Sequence, residues 1–240
     1  MQLPIDETNV NLFAYTNGKF LRETPKALVL SFHGLNNTTM ITDHADFPLT
    51  CAEKGVLFAA PYDNPWSWMN DVAVRTVDAI VDALLKKYAL DDLPVISTGG
   101  SMGGLSALIY ARYSRHAIKA CAAKYPVCDL PYHFTERPDL PRTIVSALAH
   151  YDMPLEQAME SISPLHQVNQ MPDIPYLIVH GDMDLSVNQK MHSERFVELM
   201  QKAGRQIRYV PVPGAGHGKL PADAIAVFEQ FVLNSCGVDA

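Results

Sequence analysis

Ser101 stands at the centre of Gly99-Gly100-Ser101-Met102-Gly103, a G-x-S-x-G pattern. Pro94-Val95-Ile96-Ser97-Thr98 before it is β-rich, and Leu105 to Arg112 after it reads as a helix. A strand, a one-residue hairpin and a helix would hold the serine in a strained backbone conformation, with its hydroxyl raised above a sheet. Gly99 and Gly103 are small where strand and helix nearly touch. The helix N-terminus supplies free N–H groups and partial positive charge for a developing oxyanion. Alone the pattern is weak, because a plain glycine-rich turn also carries it.

A serine hydroxyl is a poor nucleophile unless a base lies in hydrogen-bond reach and an acid orients that base. With this elbow the chain order is serine, acid, histidine. Two loops after strand-like runs supply it, His180-Gly181-Asp182-Met183-Asp184-Leu185-Ser186-Val187 and Pro213-Gly214-Ala215-Gly216-His217-Gly218. Asp182 and Asp184 compete for the acid role. The spacing Gly181-x-x-Asp184-x-x-Val187 favours Asp184, leaving Asp182 as a turn residue bonded to its own backbone.

Of nine histidines, His217 alone is flanked by glycines in a late loop after a strand. His33 is expected to pack and hydrogen-bond under the oxyanion loop, and His180 to act structurally at its own strand end. His192 falls on the apolar face of a helix, one turn before Phe196. His133 falls in the interval 126–168, expected to form a lid, and either touches substrate or, the plainer reading, lies at the solvent-exposed surface. His44, His116, His150 and His166 need no function. The second oxyanion donor belongs in Ser31-Phe32-His33-Gly34-Leu35-Asn36-Asn37, where an unusual backbone angle at Gly34 would turn the Leu35 N–H toward the oxyanion. The Met102 N–H would be the other donor.

Alternating β-type and helical runs must position these groups, which implies an α/β fold with a mostly parallel sheet and helices on both faces. The strand candidates are Ala27 to Phe32, Val56 to Ala60, Val95 to Thr98, Ile118 to Ala123, Tyr176 to Val179 and Ile207 to Val210. Their near-continuous apolar character suits burial on both faces. Val74, Val77, Val81, Leu84, Leu85 and Tyr88 recur at helical spacing, as do Phe196, Leu199, Met200 and Ala203 before the stop at Gly204. Ile225, Phe228, Phe231 and Val232 mark a last helix. Asn11 to Phe20 reads as an edge hairpin around Asn17-Gly18.

One interval breaks the alternation. From Pro126 to Val168 there is no strand signal, but there are several prolines and helical stretches near Arg142 to His150 and Leu155 to Ile162. Within one domain spanning 1–240, residues 126–168 are expected to form a lid over the site. Tyr132 and Phe134 in that lid are candidate substrate contacts. Trp66 and Trp68 follow a strand, so they either sit at the pocket mouth as substrate contacts or pack under the lid.

The 240 residues carry a formal net charge of −7, which argues against nucleic acid and anionic membranes as partners. Met1 to Glu7 lacks a basic region followed by an apolar run, so no signal peptide is expected and the default location is cytoplasmic. Cys51, Cys121, Cys128 and Cys236 are scattered and read as buried or free thiols. H-E-x-x-H is absent, and Asp43-His44-Ala45-Asp46 lacks the further histidines of a hydrolytic metal site, so neither metal nor other cofactor is expected. The expected partner is a small-molecule substrate.

With these residues in place, the chain resembles the α/β-hydrolase superfamily over almost its whole length. Ser163-Pro164-Leu165, Ile178 to Asp184, Val187, Lys202-Ala203-Gly204 and Val210 to Gly218 look most like the prolyl oligopeptidase catalytic domain and the related dienelactone-hydrolase-like esterases. The resemblance implies Ser101 as nucleophile, Asp184 as acid and His217 as base. There are departures. Prolyl oligopeptidases proper carry a large propeller for which this chain has no room. Dienelactone hydrolases use cysteine where Ser101 stands, and the lipase-type His-Gly-Gly-Gly run is broken by Leu35. The expectation is a serine hydrolase of small carboxylic esters, including acylated carbohydrates or aryl esters. A short-peptide peptidase, an acyltransferase and a non-catalytic receptor on the same fold are the rivals.

Overall fold

The computed structural model describes residues 4–38, 41 and 45–238. Asp43 and His44 lie outside the described residues. Among those described, β1 (Ala14–Thr16), β2 (Ala27–Phe32), β3 (Val56–Pro61), β4 (Val95–Gly100), β5 (Ile118–Lys124), β6 (Tyr176–Gly181) and β7 (Ile207–Val212) form one sheet in the order β1-β3-β2-β4-β5-β6-β7. β1 pairs antiparallel with β3, and all other pairings are parallel. All six expected strands are present, each within a few residues of its sequence bounds.

Two apolar layers cover the sheet, which is why its central strands are apolar at nearly every position. On one face α2 (Asp71–Lys87), α3 (Met102–Tyr113) and α7 (Arg195–Lys202) pack against Leu28, Leu30, Cys121 and Ile178. On the other, α1 (Asp46–Glu53) and α8 (Ala222–Ser235) cover Val29, Ile96, Ala122 and Leu177. β7 is the more exposed edge and tolerates Pro211. All four cysteines are buried and free.

The N-terminal hairpin is not formed. β1 pairs with β3, and Asn17 opens a 3₁₀ turn, Gly18–Phe20. The Asn17 side chain is fully buried. Its amide donates to Pro48 O and Val56 O, and its oxygen accepts from Phe58 N. The polar residue that suggested a tight turn is instead a bracket joining β1, α1 and β3.

Residues 126–168 fold as α4 (Leu130–Glu136), α5 (Leu140–Leu148), α6 (Leu155–Ser161) and the start of a 3₁₀ segment, Pro164–Gln170. The first of these helices has no counterpart in the sequence reading. Asp129 caps it by accepting from Tyr132 N at 3.1 Å, and Arg137, extended before Pro138, ends it. No helix of the described residues is long and apolar enough to cross a membrane.

Candidate active site

Loops at the carboxyl ends of β4, β6 and β7 bring Ser101, Asp184 and His217 together. Ser101 adopts φ 59° and ψ −126°, a region that costs energy for a residue with a Cβ. Its N–H donates to Lys124 O, and its carbonyl accepts from Gly104, Leu105 and Val127 N–H groups. A Cβ on Gly99 would lie 2.1 Å from Gly103 O, and one on Gly103 would lie 2.2 Å from Phe32 O. Strand and helix therefore touch backbone to backbone, as the pattern required.

His217 Nε2 accepts from the Ser101 hydroxyl at 3.1 Å, and His217 Nδ1–H donates to Asp184 Oδ2 at 2.7 Å. Asp184 is buried, while Asp182 is exposed. Asp184 Oδ1 accepts from Ser186 and Val187 N–H groups, and Oδ2 also accepts from His180 Nε2 at 3.2 Å. Burial alone would raise the Asp184 pKa. Hydrogen bonds from His180 and His217, then Val187 N–H, outweigh it and hold the carboxyl well below its usual range. Asp182 bonds to Gly214 N at 2.7 Å, so it ties the acid loop to the histidine loop and not to its own backbone.

The oxyanion side is built from one peptide plane. Gly34 O accepts from His33 Nδ1 at 2.9 Å and from Asn37 N at 3.2 Å. The chain has no cis peptide among the described residues, so the Leu35 N–H points opposite to Gly34 O. Among the described residues neither the Leu35 N–H nor the Met102 N–H has a hydrogen-bond acceptor. The left-handed angle falls on Asn36 (φ 61°) and not on Gly34, correcting that expectation. His33 Nε2 also lies 2.6 Å from Asp63 Oδ1. Burial lowers the His33 pKa, but the Asp63 carboxylate more than offsets this and the net shift is upward.

A cavity of about 960 Å³ opens over Ser101 and His217. Of the four aromatics expected to contact substrate, only Trp68 lines it. The Trp66 indole N–H donates to Asn36 Oδ1, so that ring props the oxyanion loop. Tyr132 turns its ring edge-on to His192, and Phe134 packs on the core. His133 on α4 and Arg137, the extended residue just after that helix, both line the cavity. His133 is only 2% exposed, which overturns its expected surface position.

Sequence reasoning missed three other residues. Tyr125 lines the cavity with its ring centroid 4.7 Å from that of His217, at φ 38°. Burial, reinforced by the Asp184 charge, pushes its phenol pKa up. Glu136 and Asp63 each hold a buried or half-buried histidine. Only the aromatic beside Pro126 at a strand end offered a signal, for Tyr125.

Sheet order, elbow and hydrogen-bonded Ser-His-Asp line define the class, an α/β-hydrolase. The model of the prolyl oligopeptidase family matches residues 62–233, most of the chain, and the chain belongs to that family of serine hydrolases. Among solved structures, a puromycin-hydrolyzing peptidase of Mycobacterium tuberculosis is similar at TM-score 0.71 and 19% identity, covering 89% of this chain and 35% of its own. A truncated carbohydrate esterase from gut microbiota gives TM-score 0.67 and 16% identity, covering 90% and 88%. The Est2 esterase of Thermogutta terrifontis gives 0.65 and 19%, covering 92% and 86%. The chain thus spans about a third of that peptidase and most of each esterase. A comparison with curated proteins finds no match.

Proposed function

We propose that the chain hydrolyses small carboxylic esters through an acyl-enzyme. The observation that carries this is the continuous line from Ser101 Oγ through His217 to Asp184, at 3.1 and 2.7 Å. His217 takes the serine proton as the hydroxyl attacks the ester carbonyl. Asp184 keeps the Nδ1–H tautomer and stabilises the imidazolium. The Leu35 and Met102 N–H groups receive the oxyanion, each contributing about 3 kcal/mol to the transition state. His217 then protonates the leaving alcohol, and water reverses the sequence. Each proton passes through His217, from Ser101 to the leaving alcohol and then from water back to Ser101.

In this reading residues 126–168 serve as a lid, supported by His133 and Arg137 on the cavity wall and by Val127 N on Ser101 O. Four free buried thiols fit a cytoplasmic setting.

Fluorophosphonate labelling tests the nucleophile: Ser101→Ala should abolish it and lower ester turnover by several orders of magnitude. Labelling that survives in the alanine variant overturns the assignment. Short-peptide cleavage is the second reading, favoured by the family itself. Comparing aryl esters with aminoacyl amides separates the two, and amides turning over faster would decide for peptides.

A further inference from the structure

Three side chains outside the catalytic line are joined by hydrogen bonds that fix every proton. His192 is fully buried, and its Nδ1 accepts from both Cys128 N and Asp129 N at 3.1 Å. Its Nε2 must then carry the proton, which it donates to Glu136 Oε2 at 2.8 Å. The same carboxylate oxygen lies 2.5 Å from His133 Nδ1, and Oε1 accepts from Asn188 N at 3.2 Å. His133 Nδ1 is therefore also a donor.

These three residues are close enough to bracket a metal ion. The proton pattern argues against one, since His192 Nε2 has no lone pair to offer while Nδ1 holds two backbone N–H groups. What the chain leaves over is His133 Nε2. Burial lowers the His133 pKa despite Glu136, so the ring is neutral and Nε2 carries a lone pair. Nε2 has no partner among the described residues, although His133 is 98% buried and lines the cavity over Ser101. His133 Nε2 is not one of the fully buried polar atoms left without a partner among the described residues, so it keeps some exposure and can take a donor from a ligand in the cavity. The carboxylate behind the ring strengthens Nε2 as an acceptor.

We propose that His133 Nε2 is a specificity-determining acceptor for a hydroxyl group on the substrate, so that hydroxylated esters are preferred over their unsubstituted counterparts. The inference rests on Ser101 being the nucleophile of the same cavity.

The test uses the whole chain and two matched pairs of 4-nitrophenyl esters: butyrate against 3-hydroxybutyrate, and 3-phenylpropanoate against 3-(4-hydroxyphenyl)propanoate. The two pairs place the hydroxyl at different reaches from the carbonyl. At least one hydroxylated ester should be preferred in kcat/KM by about 10-fold or more. His133→Phe should collapse that ratio toward one, His133→Gln should restore part of it through its amide oxygen, and Glu136→Gln should reduce it. Binding of the corresponding free acids to Ser101→Ala, with and without His133→Phe, reads the same ratio without turnover. Loss of turnover with the binding ratio intact would fault the nucleophile and leave the hydroxyl subsite standing. No preference in either pair, or a ratio unchanged in folded His133→Phe and Glu136→Gln, overturns the proposal. So does a ratio that appears only when a divalent metal is added.

Discussion

Asp184 Oδ2 serves two histidines at once, His217 Nδ1 at 2.7 Å and His180 Nε2 at 3.2 Å. His180 Nε2 also faces Val187 O at 3.1 Å, so it must carry its proton, and its Nδ1 accepts from Ser193 Oγ at 2.7 Å. The buried His180 ring thus anchors the carboxylate that orients the base. Asp184→Asn should cost about 10⁴ in kcat through the wrong tautomer, with the fold retained. His180→Phe removes one charge-assisted bond and should cost about 10- to 100-fold. Asp182→Asn should be mild. Steady-state kinetics on one aryl ester ranks all three, and Asp182→Asn proving worst would mean the wrong carboxylate was chosen.

The elbow tolerates no Cβ at its two contact glycines. At Gly99 and Gly103 the added carbon would meet backbone oxygens at 2.1 and 2.2 Å, and backbone cannot swing aside as a long side chain can. Gly99→Ala and Gly103→Ala should each destabilise by about 4 kcal/mol or more. Gly214→Ala is the control for crowding, since nothing lies within 4 Å of its Cβ position. Its cost should be the smaller one of a left-handed φ. Urea unfolding of the three variants gives the ranking, and equal midpoints would show that the elbow relaxes.

What was legible in the sequence follows from range. Continuous apolar runs announce strands buried on both faces, and the G-x-S-x-G and G-x-x-D-x-x-V spacings are local, so strands and triad candidates could be read. The pairings that surround them could not. His133 and His192 are 59 residues apart yet touch ring to ring and share the Glu136 carboxylate, and His33 meets Asp63 across two strands. Trp66 looked like a pocket aromatic because it follows β3, yet its N–H is spent on Asn36. The helix α4 was missed because its seven residues lie between a capping Asp129 and Pro138, too short to show a period. Without that helix the sequence could not tell which member of Tyr132-His133-Phe134 faces the cavity, and it is His133 that does.

Glu136 should make the fold sensitive to acid. Burial would raise its pKa, but hydrogen bonds from His133 and His192 bring it from 4.5 down to about 2. A carboxyl with a depressed folded pKa contributes stability above its unfolded value and loses it as pH falls through the folded one. The contribution is therefore whole above about pH 4.5 and disappears toward pH 2. Glu136→Gln should flatten that part of the stability curve, read as urea midpoint against pH. A parallel fall in variant and parent would assign the acid transition to other carboxylates, with Asp184 the first candidate.

His33 should set an alkaline limit on catalysis. Its Nδ1 lies 2.9 Å from Gly34 O and its Nε2 2.6 Å from Asp63 Oδ1, a close charge contact without hydrogen-bond geometry that favours the protonated ring. Burial opposes the charge, yet Asp63 prevails and the pKa is raised from 6.5. A raised histidine pKa gives a contribution that is full below the unfolded value and lost as pH rises through the folded value. When the proton leaves, one of the two contacts must go. If it is the one to Gly34 O, the 34–35 peptide is freed to rotate and the Leu35 N–H swings off the position an oxyanion would take. Above pH 6.5, kcat should fall through one ionisation in the parent enzyme. Asp63→Asn takes away the charge that holds the proton, so the same fall should begin at lower pH. Measured in kcat from pH 5 to 10, superimposable profiles for parent and Asp63→Asn would rule out this control of the oxyanion loop.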